Sequence, residues 1–352
     1  MALLRFSNIG MTGIAAAVPQ TVINNYGYTQ HFPADQVKEV VDKIGIKERR
    51  FADDKTCSSD LCCAAAEKLI HEMGINKSEI DLLVFVSQTP DYRMPATSII
   101  LQDRLGLSNR TLAFDISLGC SGFIYGLSVV YSFMQHQGIQ NALLLDGETR
   151  SKVYSPKDRT SAFLFGDGGV AAVIERNEKF GDSYFSLNSD GSRESLIKIN
   201  AGGYRHPSSS DTLKEKIVDE FGNIRNEEQG YMNGGDVFNF VIREIPKDFY
   251  HIIDFSGVKK SNIDFFVFHQ ANEFMNNYLV KKLEIDQVKA PTNLAKFGNV
   301  SSVSLPLTIV SELQNELKDR KILFLSAFGV GMTWASAIIN VENCIIPNLV
   351  EI

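Results

Sequence analysis

Residues 77–85 read KSEIDLLVF, and residues 260–268 read KSNIDFFVF. Lys77 and Asp81 map onto Lys260 and Asp264 with one shift of 183 residues. Nearly the same shift lays NALLLDG (141–147) over RKILFLSAFG (320–329), each an apolar run ending in small residues. A second strand-like segment follows each run, GGVAAVIE (168–175) and MTWASAIIN (332–340). Two copies of so long a unit imply a duplicated α/β domain and exclude a short-period solenoid. One Lys-Ser-x-Ile-Asp alone would mark no more than a helix exit; the shared offset of separate pairs carries the duplication. The halves are expected at residues 1–176 and 177–352.

Working outward, helical patterns are expected over 59–73, 120–136, 236–254, 270–283 and 303–318. They alternate with short, wholly apolar strands. Strands buried on both faces predict a mostly parallel sheet covered by helices. From about 176 to 235 the chain turns rich in Gly, Ser and charge (NSDGSRESLIKINAGGYRHPSSSD, 188–211). That composition reads as a strand followed by a long surface loop. No flexible linker separates the halves, so they should pack on each other.

A hydrophobic fraction of 44% and a charged fraction of 22% suit a soluble globular protein. The formal charge of −7 argues against nucleic acid as a partner. A local basic patch is still compatible with an acidic ligand or carrier. Cys57, Cys62, Cys63, Cys120 and Cys344 form no ladder of spacings, and free thiols in a reducing cytoplasm are the simpler expectation. MALLRFSNIGMTGIAAAVP reads as a first strand, since its apolar stretch is broken by Ser, Asn, Gly and Thr. No apolar run approaches the roughly 20 residues of a membrane helix. A cytoplasmic protein with no membrane association is expected.

Cys120 is the strongest chemical candidate. In LAFDISLGCSGFIYGLSVVYSF a strand-like run breaks at Gly119 and a long apolar helix begins. A cysteine in a first helical turn faces unpaired N–H groups and the positive end of the dipole, which favour the nucleophilic thiolate. A buried structural cysteine at a tight junction is the competing reading. His269 stands at the end of the second copy of the repeated strand, where the first copy has Val86. Ligands of open α/β sheets bind beyond the carboxyl ends of strands, and Gln270-Ala271-Asn272 is polar where a core strand would stay apolar. Asn299, in AKFGNVSSVSLPLTIV, lies near another helix start; by itself it reads as a turn or N-cap. The loop of LSAFGVGMTWAS (325–336) is either a β-hairpin turn or a source of N–H groups for an oxyanion. FGDGGVAAV (165–173) has the same look, and a lone glycine cluster is weak evidence for phosphate binding.

Together these segments resemble the thiolase superfamily, and most closely β-ketoacyl-acyl-carrier-protein synthase III. The resemblance spans GIAAAVP, DKIGIKERRFA (42–52), SLGCSGF, KDRTSAFLFGDGGVAAV (157–173), FHQAN, FGNVSSVSLP and AFGVGMTWASAI (327–338). It implies a thiolase-like fold, two α/β halves forming a five-layer αβαβα sandwich, and a homodimer. It further implies a catalytic triad of Cys120, His269 and Asn299. Cys120 would take an acyl group from acyl-CoA or an acyl carrier protein. A malonyl thioester (malonyl-ACP or malonyl-CoA) would then lose carbon dioxide and attack the acyl-enzyme. The N–H groups of Cys120 and Val330 would form the oxyanion hole. Met94, Arg159, Gln270, Asn272, Gly298, Gly329 and Gly331 would bind substrate. No metal or redox cofactor is implied; CoA or carrier phosphopantetheine thioesters are the substrates.

Several positions depart from the family pattern. Val330 stands where the loop often reads AFGGG. Glu39 takes the place of a Trp that stacks on adenine, although Arg159, the expected partner of that Trp, is retained. Phe274 replaces an Arg that helps dock the carrier, leaving Lys281 and Lys282 as basic contacts. Gly235 stands where a larger polar residue often meets pantetheine. These changes point away from acetyl-CoA toward a specialised acyl donor. Met94, in TPDYRMPATS (89–98), is expected to line the partner subunit's acyl tunnel and leave it linear. Two alternatives remain: a relative passing the acyl group to an O, N or other carbon acceptor, or an inactive partner subunit. An enzyme of the hydroxymethylglutaryl-CoA synthase kind would need a Glu base near the cysteine; Asp146 and Glu148 are available but match no pattern.

Overall fold

The repeated Lys-Ser-x-Ile-Asp segments perform one structural job twice. The chain is described over all 352 residues by a computed structural model. In each copy Lys-Ser-Glu or Lys-Ser-Asn makes a single tight turn, and the aspartate then fixes the start of the neighbouring strand. The Asp81 carboxylate accepts from the N–H groups of Gln140 (2.8 Å) and Asn141 (3.2 Å), and that of Asp264 from Ile322 (2.8 Å). Each aspartate thus satisfies edge N–H groups that the sheet leaves unpaired, which sets the strand register.

Ten strands build the core: β1 Ala2–Ser7, β2 Ile9–Val18, β3 Leu82–Val86, β4 Leu112–Ile116, β5 Asn141–Thr149, β6 Asp167–Arg176, β7 Asp182–Ser189, β8 Phe265–Phe268, β9 Lys321–Gly329 and β10 Thr333–Ile345. The first half runs in the order β4-β3-β5-β6-β2, and the second β8-β9-β10-β7-β1. Within these, β3-β5-β6-β2 and β8-β9-β10-β7 repeat the same order and the same directions. The two sets join where β10 runs alongside β2.

Both sets are mixed, which corrects the expectation of a mostly parallel sheet. β3 pairs in parallel with β4 and β5, and β8 with β9; the remaining pairs within the two sets are antiparallel. Burial on both faces requires helices on both faces and leaves strand direction open. Three residues between β9 and β10 permit only a hairpin. A second correction concerns the first strand: β1 pairs with β7, so the N-terminal residues complete the second half's sheet.

The helices longer than a single turn are α1 Ala34–Ile44, α2 Ser58–Met73, α3 Thr97–Arg104, α4 Gly122–Phe133, α5 Gly234–Ser256, α6 Glu273–Lys282 and α7 Ser304–Glu312. α2 and α3 cover the outer face of the first sheet, while α5 covers that of the second with α6 packed on it. α4 and α7 lie between the sheets, which gives the αβαβα layering of the thiolase-like fold. Phe123, Leu127, Leu305 and Ile309 from these central helices join Val84, Leu144, Leu325 and Ala337 in one buried core. That core fixes where α4 and α7 begin, and both helices begin beside the same cavity. Neither α1 nor α3 was among the expected helices, although α1 is amphipathic, burying Val37 and Val41 and ending on left-handed Gly45; α7 stops at Glu312, short of the expected 318.

Candidate active site

Cys120 follows β4 and precedes α4 by two residues. It was expected inside the first helical turn. Instead it lies just outside, in a turn closed by the Gly122 N–H on the Gly119 carbonyl (2.6 Å). Its own N–H has no main-chain acceptor, and neither has that of Val330 at the tip of the β9–β10 hairpin. The hairpin reaches the nucleophile because residue 329 is glycine. A Cβ there would come within 2.6 Å of both Cβ and Sγ of Cys120. Gly119 and Gly122 flank the nucleophile. Their role is packing: a Cβ would meet Gln88 Oε1 (2.5 Å) and Val86 Cγ1 (2.6 Å), respectively.

Burial pushes the Cys120 thiol up from its ordinary value. Arg150, the Ser301 hydroxyl at 3.7 Å from Sγ, and the Val330 main chain act in the opposite sense. Desolvation outweighs them, so the expected bias toward thiolate is not realised in the free protein.

His269 leaves the end of β8, with its N–H on the Ser326 carbonyl (2.8 Å). Its ring stands edge-on to Phe328, with centroids 5.5 Å apart. Burial pushes the imidazole down to about 3, only partly opposed by the Ser301 main chain, so the ring is neutral at physiological pH. Nδ1 is sealed without a hydrogen-bond partner, which leaves Nε2 as the nitrogen toward the cavity.

Asn299 is held at both ends of its peptide unit: its N–H donates to Leu164 (2.9 Å) and its carbonyl accepts from Gly166 (3.1 Å). The side-chain Oδ1 accepts from the Ser301 N–H (2.9 Å), turning Nδ2 outward as a donor. That contact uses a left-handed backbone at Ser301 (φ 55°), which is rare outside glycine. Gly298 shapes the approach, since a Cβ there would lie 2.7 Å from the Leu164 carbonyl.

Cys120, His269, Asn299, Gly329, Val330 and Asn272 line one cavity. Its remaining walls are mainly apolar, including Leu164, Phe165, Ile197, Met232, Val237 and Phe328. A nucleophilic sulfur, two unpaired main-chain N–H groups and two neutral side-chain donors therefore converge on one small space. Such a set can form a thioester, stabilise an oxyanion and hold a second carbonyl.

Other expected residues fall elsewhere. Gln270 turns away: its amide bonds the Phe268 carbonyl (2.8 Å) and the Thr292 hydroxyl (2.7 Å), so it ties the strand end to a loop and does not reach the cavity. Asn272 lines the cavity while its Oδ1 caps α6 on the Met275 N–H (2.9 Å). Gly298 and Gly331 shape the surrounding loops without lining the cavity. Arg159 lies outside it, bonded to Gln36 (3.1 Å), with its guanidinium over the exposed Phe221 ring at 5.9 Å. Glu39 is not part of that contact. Met94 is 77% exposed on the surface and touches no part of this cavity. Phe274 is exposed and packs on Phe238, with centroids 5.2 Å apart.

Residues not anticipated are Ser301, Arg150 and Tyr154. Ser301 carries a signal only in retrospect, as a polar residue two places after Asn299. Arg150 and Tyr154 follow β5 and enter the cavity from the first half. Buried Glu148, two residues before Arg150, accepts from the Gln88 N–H (3.1 Å) and the Thr89 hydroxyl (2.9 Å) and does not line the cavity.

Comparison with known proteins gives a consistent picture. The family profile described as 3-oxoacyl-[acyl-carrier-protein (ACP)] synthase III matches residues 114–191, and that of its C-terminal part matches residues 253–341. A β-ketoacyl-[acyl-carrier-protein] synthase III of Clostridioides difficile is 33% identical over 94% of this chain and 97% of its own length. One of Desulfitobacterium hafniense is 32% identical, with the same coverage. The crystal structure of a 3-oxoacyl-(acyl-carrier protein) synthase from Burkholderia xenovorans superposes with a TM-score of 0.93 at 36% identity, covering 100% of this chain and 99% of that one.

Proposed function

Because the chain belongs to the β-ketoacyl-[acyl-carrier-protein] synthase III family of condensing transferases, we propose that Cys120, His269 and Asn299 carry out a two-step condensation. The Cys120 sulfur attacks an acyl thioester; the new C–S bond forms as the donor C–S bond breaks, and the thiol proton leaves with the departing thiol. The oxyanion formed on the way is held by the N–H groups of Cys120 and Val330. Donors of this kind are worth about 2.7–4 kcal/mol each.

In the second step a malonyl thioester seats its carbonyl between His269 Nε2 and Asn299 Nδ2. The C–CO2 bond breaks, and its electron pair becomes an enolate held by the two donors. The enolate carbon attacks the acyl-cysteine, and Cys120 leaves as thiolate. Neutral donors suit this role, because a charged imidazolium would bind the substrate's carboxylate and resist its loss as carbon dioxide. The observation that supports the reading best is the Asn299 amide, whose Oδ1 is locked on Ser301 N–H so that only its N–H2 faces the sulfur's cavity.

CoA or carrier-protein phosphopantetheine thioesters would deliver both substrates without metal or redox cofactor. Lys281 and Lys282, exposed in the last turn of α6, offer basic contacts for an acidic carrier. The protein would act as a cytoplasmic homodimer, with Met94 reaching the partner's acyl pocket; no helix is long and apolar enough to cross a membrane. The test is intact-protein mass spectrometry after incubation with acyl-CoA and acyl-carrier panels. An acyl adduct absent in Cys120→Ala supports the reading, and no adduct with any donor would overturn it.

A further inference from the structure

Arg150 is the one charged side chain in the wall of the Cys120 cavity, and most of its N–H donors have no acceptor there. It is only 4% exposed. Of the five N–H donors of its guanidinium, one has an acceptor, the Tyr154 hydroxyl at 3.3 Å from Nη2. Nε is buried without any partner. Glu148 forms a buried ion pair with it, Oε2 lying 3.8 Å from Nη1, beyond hydrogen-bond reach; the Glu148 oxygens accept instead from Gln88 and Thr89. The guanidinium carbon lies 5.5 Å from the ring centre of Tyr154 and 5.9 Å from that of Phe165. Those two rings are themselves stacked at 4.0 Å, which leaves little freedom for the group to swing out.

Arg150 also lines a second, more open cavity with Gln88, Ser117 and Lys198. Val330, Tyr154 and Ile197 border both spaces, so Arg150 stands between the Cys120 cavity and the more open one. A buried cation is costly unless it is paired. A planar fork with free edges fits a carboxylate better than any neutral oxygen. A hydrocarbon chain at this position would bury those N–H groups permanently unpaired.

We propose that Arg150 selects acyl donors bearing a carboxylate of their own, the monothioesters of short dicarboxylic acids. The inference rests on Cys120 being the acylated residue and adds the chemical class of the acyl group. Loading follows the thioester exchange already described, with the distal carboxylate unchanged and bidentate on Arg150.

The test compares rates of Cys120 labelling by succinyl-CoA and glutaryl-CoA with butyryl-CoA and hexanoyl-CoA, read by intact mass. The wild-type chain is expected to load the carboxylated donors on the order of a hundredfold faster, since a site built for a polar group discriminates strongly. Arg150→Met should reverse the order, and Arg150→Lys should retain part of the preference. Thermal melting of each variant establishes that it is folded, and the wild-type ranking stands without any variant. Faster loading of the uncharged donors by wild type would overturn the proposal while leaving the condensing role intact. An equal loss for all four donors in Arg150→Met would also overturn it, assigning the residue to the sulfur or to packing. Absence of any label would overturn both readings together.

Discussion

Cys120 works from a disadvantage that its surroundings only partly offset. Its thiol is held above the ordinary value by burial, so the reactive thiolate fraction should rise about tenfold per pH unit toward alkaline pH. Iodoacetamide alkylation of Cys120 is expected to climb through pH 9; a plateau below pH 7 would contradict this. His269 shifts the other way. Its folded value near 3 lies below the ordinary 6.5, so as pH falls the unfolded chain takes up that proton first. The stability contributed by the neutral ring is complete above about pH 6.5 and is lost between about 6.5 and about 3. Discharge of a preformed acyl-Cys120 should therefore be flat from pH 5 to 8. An acid limb near pH 6.5 that disappears in His269→Gln would contradict it. Cys120 and His269 were legible as candidates from their own segments, whereas Asn299 by itself read as a turn or N-cap and entered only through the family resemblance. Arg150, Ser301 and the direction of the Cys120 shift were not legible. Ser301 is brought to Cys120 across 181 residues, and the Cys120 shift depends on burial that no local pattern reveals.

At the scale of elements, the hairpin between β9 and β10 decides whether the oxyanion donors exist. Gly329→Ala places a Cβ on the nucleophile, so either Sγ or the hairpin must move. Loading is expected to fall on the order of a hundredfold or more, the loss typical when one oxyanion donor is removed, with a modest drop in thermal melting from the overpacking. Unchanged loading would remove Val330 from the hole. The sequence motif showed that this turn existed; it is a hairpin turn whose tip lines the cavity, and its service as an oxyanion donor belongs to the proposed mechanism. The duplicated aspartates make a separate claim about stability. Asp264→Ala leaves the Ile322 N–H without its carboxylate acceptor and should cost about 1–3 kcal/mol in chemical denaturation. A cost below about 0.5 kcal/mol would reduce the motif to coincidence. Strand direction was misread because double-sided burial looks the same in parallel and mixed sheets. α3 was missed because tertiary packing outweighs its weak local signal; α1 was legible, with Val37 and Val41 one turn apart and Gly45 at its end, and was overlooked.

Across the whole molecule, the duplication explains why the site exists at all. One half presents the sulfur between β4 and α4. The other supplies imidazole and carboxamide from equivalent depths, after β8 and before α7. The shared shift of 183 residues made this two-fold design readable, whereas the path of β1 into the second sheet was not, since nothing local marks it. Met94 bears on assembly: Met94→Phe should shorten the acyl chains accepted, and an unchanged length profile would remove it from the pocket of a neighbouring subunit. The convergence of both halves on one cavity is tested most directly by a single turnover. Enzyme acylated on Cys120 is mixed with a malonyl thioester, and carbon dioxide release and loss of the adduct are followed together. The wild-type chain should release both in step, while His269→Ala and Asn299→Ala load normally but discharge at least a hundredfold more slowly. Variants that load and discharge at the wild-type rate would show that the two side chains take no part in forming the carbon–carbon bond.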